Sequence, residues 1–195
     1  MSARHNIAPM TRLVHMMGTL GACAVLALVT GCASVAPAYQ PSNENVRTLQ
    51  ALPGGKVALG EFTAKNESLN HLSIRGGAFD SQYKASYAEY LKAALRAELE
   101  NSGKLDAASH IIITGELLSN SLDASIGTGH ASISARIVVM RDGNKVFDKV
   151  LSGASEWESS FVGAVAIPAA QQNYAATMKK LLSNLFTDGD FRKAL

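Results

Sequence analysis

Five histidines, two cysteines and a supply of serines and carboxylates are the groups this 195-residue chain offers for chemistry. His71, His110 and His130 lie in the body of the chain. A zinc centre needs three or four ligands held close together, usually with short spacings on one element. No two of these histidines lie within five residues of each other, and no H-E-x-x-H occurs. A nucleophilic serine needs a base beside it and often a strained G-x-S-x-G elbow. That pentapeptide is absent, and Ser152-Gly153-Ala154-Ser155 has the wrong spacing. Asp123, His130 and one of the serines have the residue types of a triad, but nothing in their spacing brings them together. Gly127-Thr128-Gly129 lacks the third glycine and the lysine of a phosphate-binding loop, and reads as a flexible turn between strands. Glu156 and Glu158 flank Trp157 and read as one solvated face of a strand end. The residues therefore predict no catalytic group, no metal and no cofactor.

The cysteines carry a different message. Residues 1–31 hold Arg4 and Arg12 but no acid, and an uncharged apolar stretch runs from Leu13 to Thr30, the pattern of a secretory leader. The stretch is nearly long enough to cross a bilayer, so an uncleaved helix is the competing reading. Its end, Leu28-Val29-Thr30-Gly31-Cys32, resembles the lipobox of bacterial lipoproteins. That resemblance implies that Cys32 is diacylated on sulfur, becomes the first residue of the mature chain, and is acylated on its amine. One acyl chain binds a membrane only marginally, whereas several together make release negligible. Cys23 departs with the leader, so no internal disulfide or thiolate metal site can form. Ala33 follows Cys32 in place of the aspartate that, in the proteins this segment resembles, often retains a lipoprotein in the inner membrane. The expected location is the outer membrane, facing the periplasm.

Lysine plus arginine number 18 and aspartate plus glutamate 16, a formal charge of +2. Setting aside Arg4 and Arg12 leaves 16 against 16 from Cys32 onward, so the mature chain has no electrostatic footprint for nucleic acid. At 47% apolar and 17% charged residues, the chain is rich enough in apolar groups to fold. Between Ala33 and Gly55, Pro37, Pro41 and Pro53 alternate with serine and asparagine. Residues 32–55 thus read as a mostly extended tether carrying the lipid, with Val46, Leu49 and Leu52 suggesting one helical turn against the domain. About 20 such residues at about 3.3 Å each would hold the domain several tens of ångströms from the bilayer. Residues 56–195 are enough for one domain with a single core.

Within that domain the period of the apolar residues sets the elements. Lys56–Ala64 reads as a strand with Val57, Leu59 and Phe62 inward and a bulge at Gly60. Asn66–Ser81 reads as a long loop with a short extended piece at His71–Ile74. Ser86-Tyr87-Ala88-Glu89 fits a capping box, followed by Tyr87, Leu91, Leu95 and Leu99 on one helical face and Gly103 at the stop. Ile111-Ile112-Ile113 has the unbroken apolar character of a strand buried on both faces. Ala131, Ile133, Ala135, Ile137 and Val139 alternate along a second strand, and Asp142-Gly143 is a hairpin turn into a third, Lys145–Trp157. A second helix is expected from Pro168, with Tyr174, Met178, Leu181, Leu182 and Leu185 as its stripe, ending at Asp188-Gly189. The order β-α-β-β-β-α predicts an α+β two-layer sandwich, a mixed or antiparallel sheet with two helices on one face.

One stretch resists assignment to a regular element. Ser159 to Ile167 (SSFVGAVAI) is uncharged and apolar and joins the last strand to the second helix. It is either buried over the sheet edge or exposed for a partner protein or acyl chain. Phe161, Val162, Val165 and Ile167 are the candidate partner-binding residues, with Gln171, Gln172 and Asn173 as a neutral hydrogen-bonding rim.

The lipobox, the proline-rich spacer and the β-α-β-β-β-α order together resemble small proteobacterial envelope lipoproteins of the YajG and ABC-transport auxiliary type. That resemblance implies a two-layer α/β sandwich that assists envelope transport or assembly without catalysis. Ser159–Pro168 and Gln171-Gln172-Asn173-Tyr174 resemble a further set of lipoproteins, some labelled UDP-N-acetylglucosamine acyltransferase. Such acyltransferases resemble a hexapeptide-repeat β-helix, and no such repeat is present here, so that activity is not carried over. The expected function is a non-enzymatic outer-membrane lipoprotein, bound to the membrane through Cys32, whose domain binds an envelope protein partner. The alternative is a periplasmic lipid- or small-ligand-binding module using the space between sheet and helices.

Overall fold

Ser86 and the leucine stripe behind it show how directly local sequence builds this domain. In the computed structural model, which describes residues 34–195, the Ser86 hydroxyl accepts the Glu89 N–H at 3.3 Å and opens a helix, Tyr87–Asn101. Tyr87, Leu91, Leu95 and Leu99 are all fully buried on its inner face. The Ser86 N–H bonds to the Tyr83 carbonyl at 2.9 Å, so Glu89 does not complete the reciprocal half of the expected capping box. Gly103, with φ +72°, takes the left-handed position that ends the helix. The leader and Cys32 lie outside the described residues.

Taken in chain order the elements are β1 (Ser34–Val35), α1 (Asn43–Ala51), β2 (Ala58–Ala64), β3 (Leu72–Ile74), β4 (Gly77–Asp80), α2 (Tyr87–Asn101), β5 (Ile111–Asp123), β6 (Gly127–Arg141), β7 (Asn144–Ser159), α3 (Gly163–Thr187) and α4 (Gly189–Ala194). The main sheet has the order β2-β5-β6-β7, with β2 parallel to β5 and the rest an antiparallel meander. Its skeleton, β2-α2-β5-β6-β7-α3, is the α+β sandwich read from the sequence. The register slips between Leu59 and Phe62, where the bulge at Gly60 was expected. Asp142 and Gly143, at φ 51° and 78°, form the tight turn between β6 and β7. Helix α2 packs over β2 and β5, and α3 over β6 and β7. No described helix is long and apolar enough to cross a membrane.

Four expectations are corrected. The isoleucine run is covered on one face only: Ile111 and Ile113 are buried, whereas Ile112 is 39% exposed on the open face of the sheet. The Asn66–Ser81 loop contains a 3₁₀ turn and the β3–β4 hairpin, which joins β1 in a second sheet of order β1-β4-β3. Helix α3 begins at Gly163, not Pro168. Proline is tolerated there because Ala164, whose carbonyl loses its i+4 donor, and Pro168 both lie on the solvent side, while Ala166 and Ala170 are buried against the sheet.

The fourth correction concerns the tether. Ala36, Tyr39, Leu49 and Leu52 are buried in the same core as α2 and α3, and the described residues 34–195 form one compact unit. Glu98 of α2 is the clasp. Its Oε1 accepts the Tyr39 hydroxyl at 2.5 Å, the Ser42 N–H at 3.0 Å and the Asn45 amide at 3.1 Å. Burial, then the hydrogen bond to Glu98, pushes the Tyr39 phenol far above its ordinary pKa, so it stays a donor. The prolines fix an extended path, but the path lies along the domain.

Aromatic side chains join the two sheets to the helices. Tyr87, Tyr90 and Tyr174 meet in edge or tilted contacts with centroids 5.3 to 6.2 Å apart, and Phe79 of β4 stands 5.6 Å from Tyr174. Each phenol has an acceptor: Tyr87 donates to the Phe79 carbonyl, Tyr90 to the Pro37 carbonyl and Tyr174 to the Asn120 side chain. Strand β7 forms an edge of the main sheet. Lys180 and Asn184 of α3 reach over it to the Ala154 and Ser152 carbonyls, at 3.0 and 2.8 Å, which blunts the edge against pairing with other chains.

Candidate functional site

The groups that could do chemistry are spread over the surface. Each histidine faces one carboxylate: His71 lies 3.9 Å from Glu67, His110 3.9 Å from Asp142, and His130 3.6 Å from Glu156. All six side chains are more than half exposed, where such pairs contribute little. Among the described residues no three metal-ligating groups come together. Asp123 and His130 are opposite each other across β5 and β6, yet they form no relay. Asp123 accepts the Ser125 hydroxyl directly at 2.6 Å, which with the Ser125 N–H holds its carboxyl below the usual range. A serine bonded to the acid rather than to the imidazole has no base to activate it.

Gly127-Thr128-Gly129 is the first part of β6, not a flexible turn. The Trp157 indole lies so close over Gly129 that a Cβ there would meet it at 2.3 Å. Glu156 and Glu158 lie on the exposed side of β7, as their alternation predicted.

The apolar stretch is where the surface changes character. Phe161 is 76% exposed, Val165 57% and Val162 41%, while Ile167 is half-buried and packs on the core. Of the two readings left open by the sequence, exposure describes the first three residues and burial the fourth. A residue the sequence reading passed over joins them. Ile126, in the β5–β6 loop, is 70% exposed and lines a cleft of about 460 Å³ together with Phe161 and Val165. The available signal was a lone isoleucine between a serine and a glycine in a predicted turn. Of the expected polar rim, Asn173 spends its amide on the Ala169 carbonyl of its own helix, and Gln172 is exposed.

Arg75 holds this corner together, and it too escaped the sequence reading. It sits in the β3–β4 turn with φ 54°. Its guanidinium donates to the Ala124 carbonyl at 2.5 Å, to the Ser160 carbonyl at 2.5 Å and to the Phe161 carbonyl at 3.3 Å. The Ser159 hydroxyl donates to Ala124 as well, at 3.2 Å. One cation thus ties the small sheet to the β5–β6 loop and to the start of α3. Arg75→Ala is expected to lower stability by about 1–2 kcal/mol, allowing for the partial exposure of the site. Hydrogen exchange at residues 124–127 and 159–163 should rise more than elsewhere. Unchanged exchange in those two segments would rule out the clip.

No protein-family model and no curated protein matches the sequence. Solved structures do match. A Xanthomonas campestris protein designated DUF330 covers 79% of this chain and 95% of its own, with 13% identity and a TM-score of 0.55. A minor lipoprotein from Acinetobacter baumannii covers 73% of this chain and 96% of its own at 13% identity and TM-score 0.42. A Caulobacter crescentus protein described as a candidate lipoprotein covers 77% and 94% at 11% identity and TM-score 0.41. At this identity, the first shows a shared fold; the other two superpose too loosely to carry an argument.

Proposed function

We propose that this chain is a non-enzymatic, lipid-anchored envelope protein, held at the outer membrane through Cys32, which serves envelope assembly or transport by docking. Its docking surface is the corner made by Phe161, Val162 and Val165, with Ile167 at its base. The observation that carries this reading is a corner of large apolar side chains left in solvent on a domain whose three described histidines lie apart, each facing a single exposed carboxylate. The lipobox and the resemblance to YajG and ABC-transport auxiliary lipoproteins support the envelope setting. The ligand-binding alternative gains nothing from the interior, because the space between sheet and helices is filled by Tyr87, Tyr90, Tyr174 and the leucines of α2 and α3.

In cells, a photoreactive residue at Val162 is expected to label whatever the corner docks on, an envelope protein or lipid, and one at Lys92, on the outer side of α2, nothing. Equal labelling at both positions, or none at Val162 in a protein that folds normally, would refute docking through this corner.

A further inference from the structure

We propose that the partner of this corner is the lipid surface itself: Phe161, Ile126 and Val165 enter the interfacial layer of the bilayer that holds the acyl chains, and so orient the domain on it. This rests on Cys32 being the lipid attachment site.

Three observations point to lipid. The first is chain length. Cys32 precedes Ser34 by two residues, which span no more than about 7 Å, and Ser34 is already paired to β4 in the fold. The anchored end therefore has almost no slack. The second is direction. β1 runs parallel to β4, and the Ser34 hydroxyl donates to the Ala78 carbonyl at 3.3 Å, so β1 followed backward points toward the β3–β4 turn. That turn carries Arg75, whose side chain reaches the backbone of the apolar corner. Ser34, two residues after Cys32 in sequence, and the corner share one end of the domain.

The third observation is how the corner treats its backbone. In a loop facing water, carbonyls need no partner from the protein. Here the Ala124, Ser160 and Phe161 carbonyls are all taken by Arg75, and the Val162 N–H donates to the Ser160 hydroxyl at 3.1 Å. Internal pairing of this kind is what backbone must have before it can approach an apolar layer. A few apolar side chains would bind a membrane weakly on their own. Covalent attachment close by turns that contact into an intramolecular one, and it then needs only to select an orientation.

The mature acylated chain suits a direct test. With Cys32 acylated and Cys23 removed with the leader, an introduced cysteine is the only free thiol. A fluorophore placed at Ala164, exposed in the first turn of α3, is compared with one at Asn144. Asn144 lies at the opposite end of the 16-residue β7, which spans up to about 50 Å if straight. In vesicles of phosphatidylethanolamine and phosphatidylglycerol, spin-labelled lipids should quench the Ala164 probe severalfold and leave the Asn144 probe unchanged. F161D/V165D, at exposed positions, should abolish that quenching while the protein still floats with the vesicles. Equal or absent quenching at the two sites in vesicle-bound protein overturns the proposal. A protein adduct at Val162 in cells, without quenching, would assign the corner to a protein and leave docking intact. An unacylated N-terminus by intact mass would remove the anchored reading and this proposal with it.

Discussion

Replacing Gly153 with alanine is expected to lower the melting temperature by about 6–12 °C, from a loss of about 3 kcal/mol. Gly153 lies in the middle of β7, directly under the backbone of α3. A Cβ at this position would stand 2.3 Å from the Thr177 carbonyl oxygen and 2.7 Å from the Leu181 nitrogen, both backbone atoms of the helix. Backbone in a helix cannot step aside as a side-chain tip can. The helix must lift off β6 and β7, opening space along Met178, Leu181 and Leu182, which are fully buried at that interface. Gly163→Ala is the matched control, since a Cβ there meets nothing within 4 Å and alanine favours the first helical turn. Thermal unfolding followed by circular dichroism measures both. If the Gly153 variant melts with the wild type, the close approach of α3 to β7 is wrong.

Glu98→Ala should cost about 3–5 kcal/mol and should also free the N-terminal segment. The carboxyl group is completely buried, with three donors on Oε1 and no partner for Oε2 among the described residues. Removing it leaves the Tyr39 hydroxyl, the Ser42 N–H and one Asn45 amide proton buried with fewer acceptors. Leucine at this position would fill the volume and still leave the donors orphaned. Adding Tyr39→Phe to Glu98→Leu should therefore recover part of the loss, and the double-mutant cycle gives the coupling. Limited proteolysis supplies a second readout: cleavage within residues 36–52 should accelerate before the rest of the domain is cut. A variant with wild-type stability and cleavage would show that Glu98 does not hold the segment.

These two sites show why parts of this protein were legible in sequence and parts were not. The stripe Tyr87, Leu91, Leu95, Leu99 and the alternation from Ala131 to Val139 repeat with the period of their elements, and their buried faces follow. The Asp142-Gly143 turn and the bulge near Gly60 are likewise local chemistry. In residues 34–52 only Val46, Leu49 and Leu52 show a helical spacing, one turn within what becomes α1. The composition of the segment is that of a linker, and it is held by burial of Tyr39, Leu49 and Leu52 in the core and by Glu98, 53 to 59 residues further along the chain. The start of α3 was misplaced because proline's preference for a first turn is real, yet solvent exposure of its face allows it a later position. Gly153 gave no warning, since a glycine in a strand says nothing about which backbone will approach it.

The residues of the corner divide along the same line. Their apolar character, the absence of charge from Ser159 to Ile167 and the lipobox resemblance at Cys32 are all readable from the chain alone, because they depend on residue type and near neighbours. Whether Phe161 is core or surface depends on what covers it. That is settled by the β5–β6 loop bringing Ile126 alongside, by Arg75 arriving from a hairpin 86 residues away, and by no described element packing over the top. Period and propensity act over a few residues, whereas burial is decided by groups that meet only once the sheet has closed.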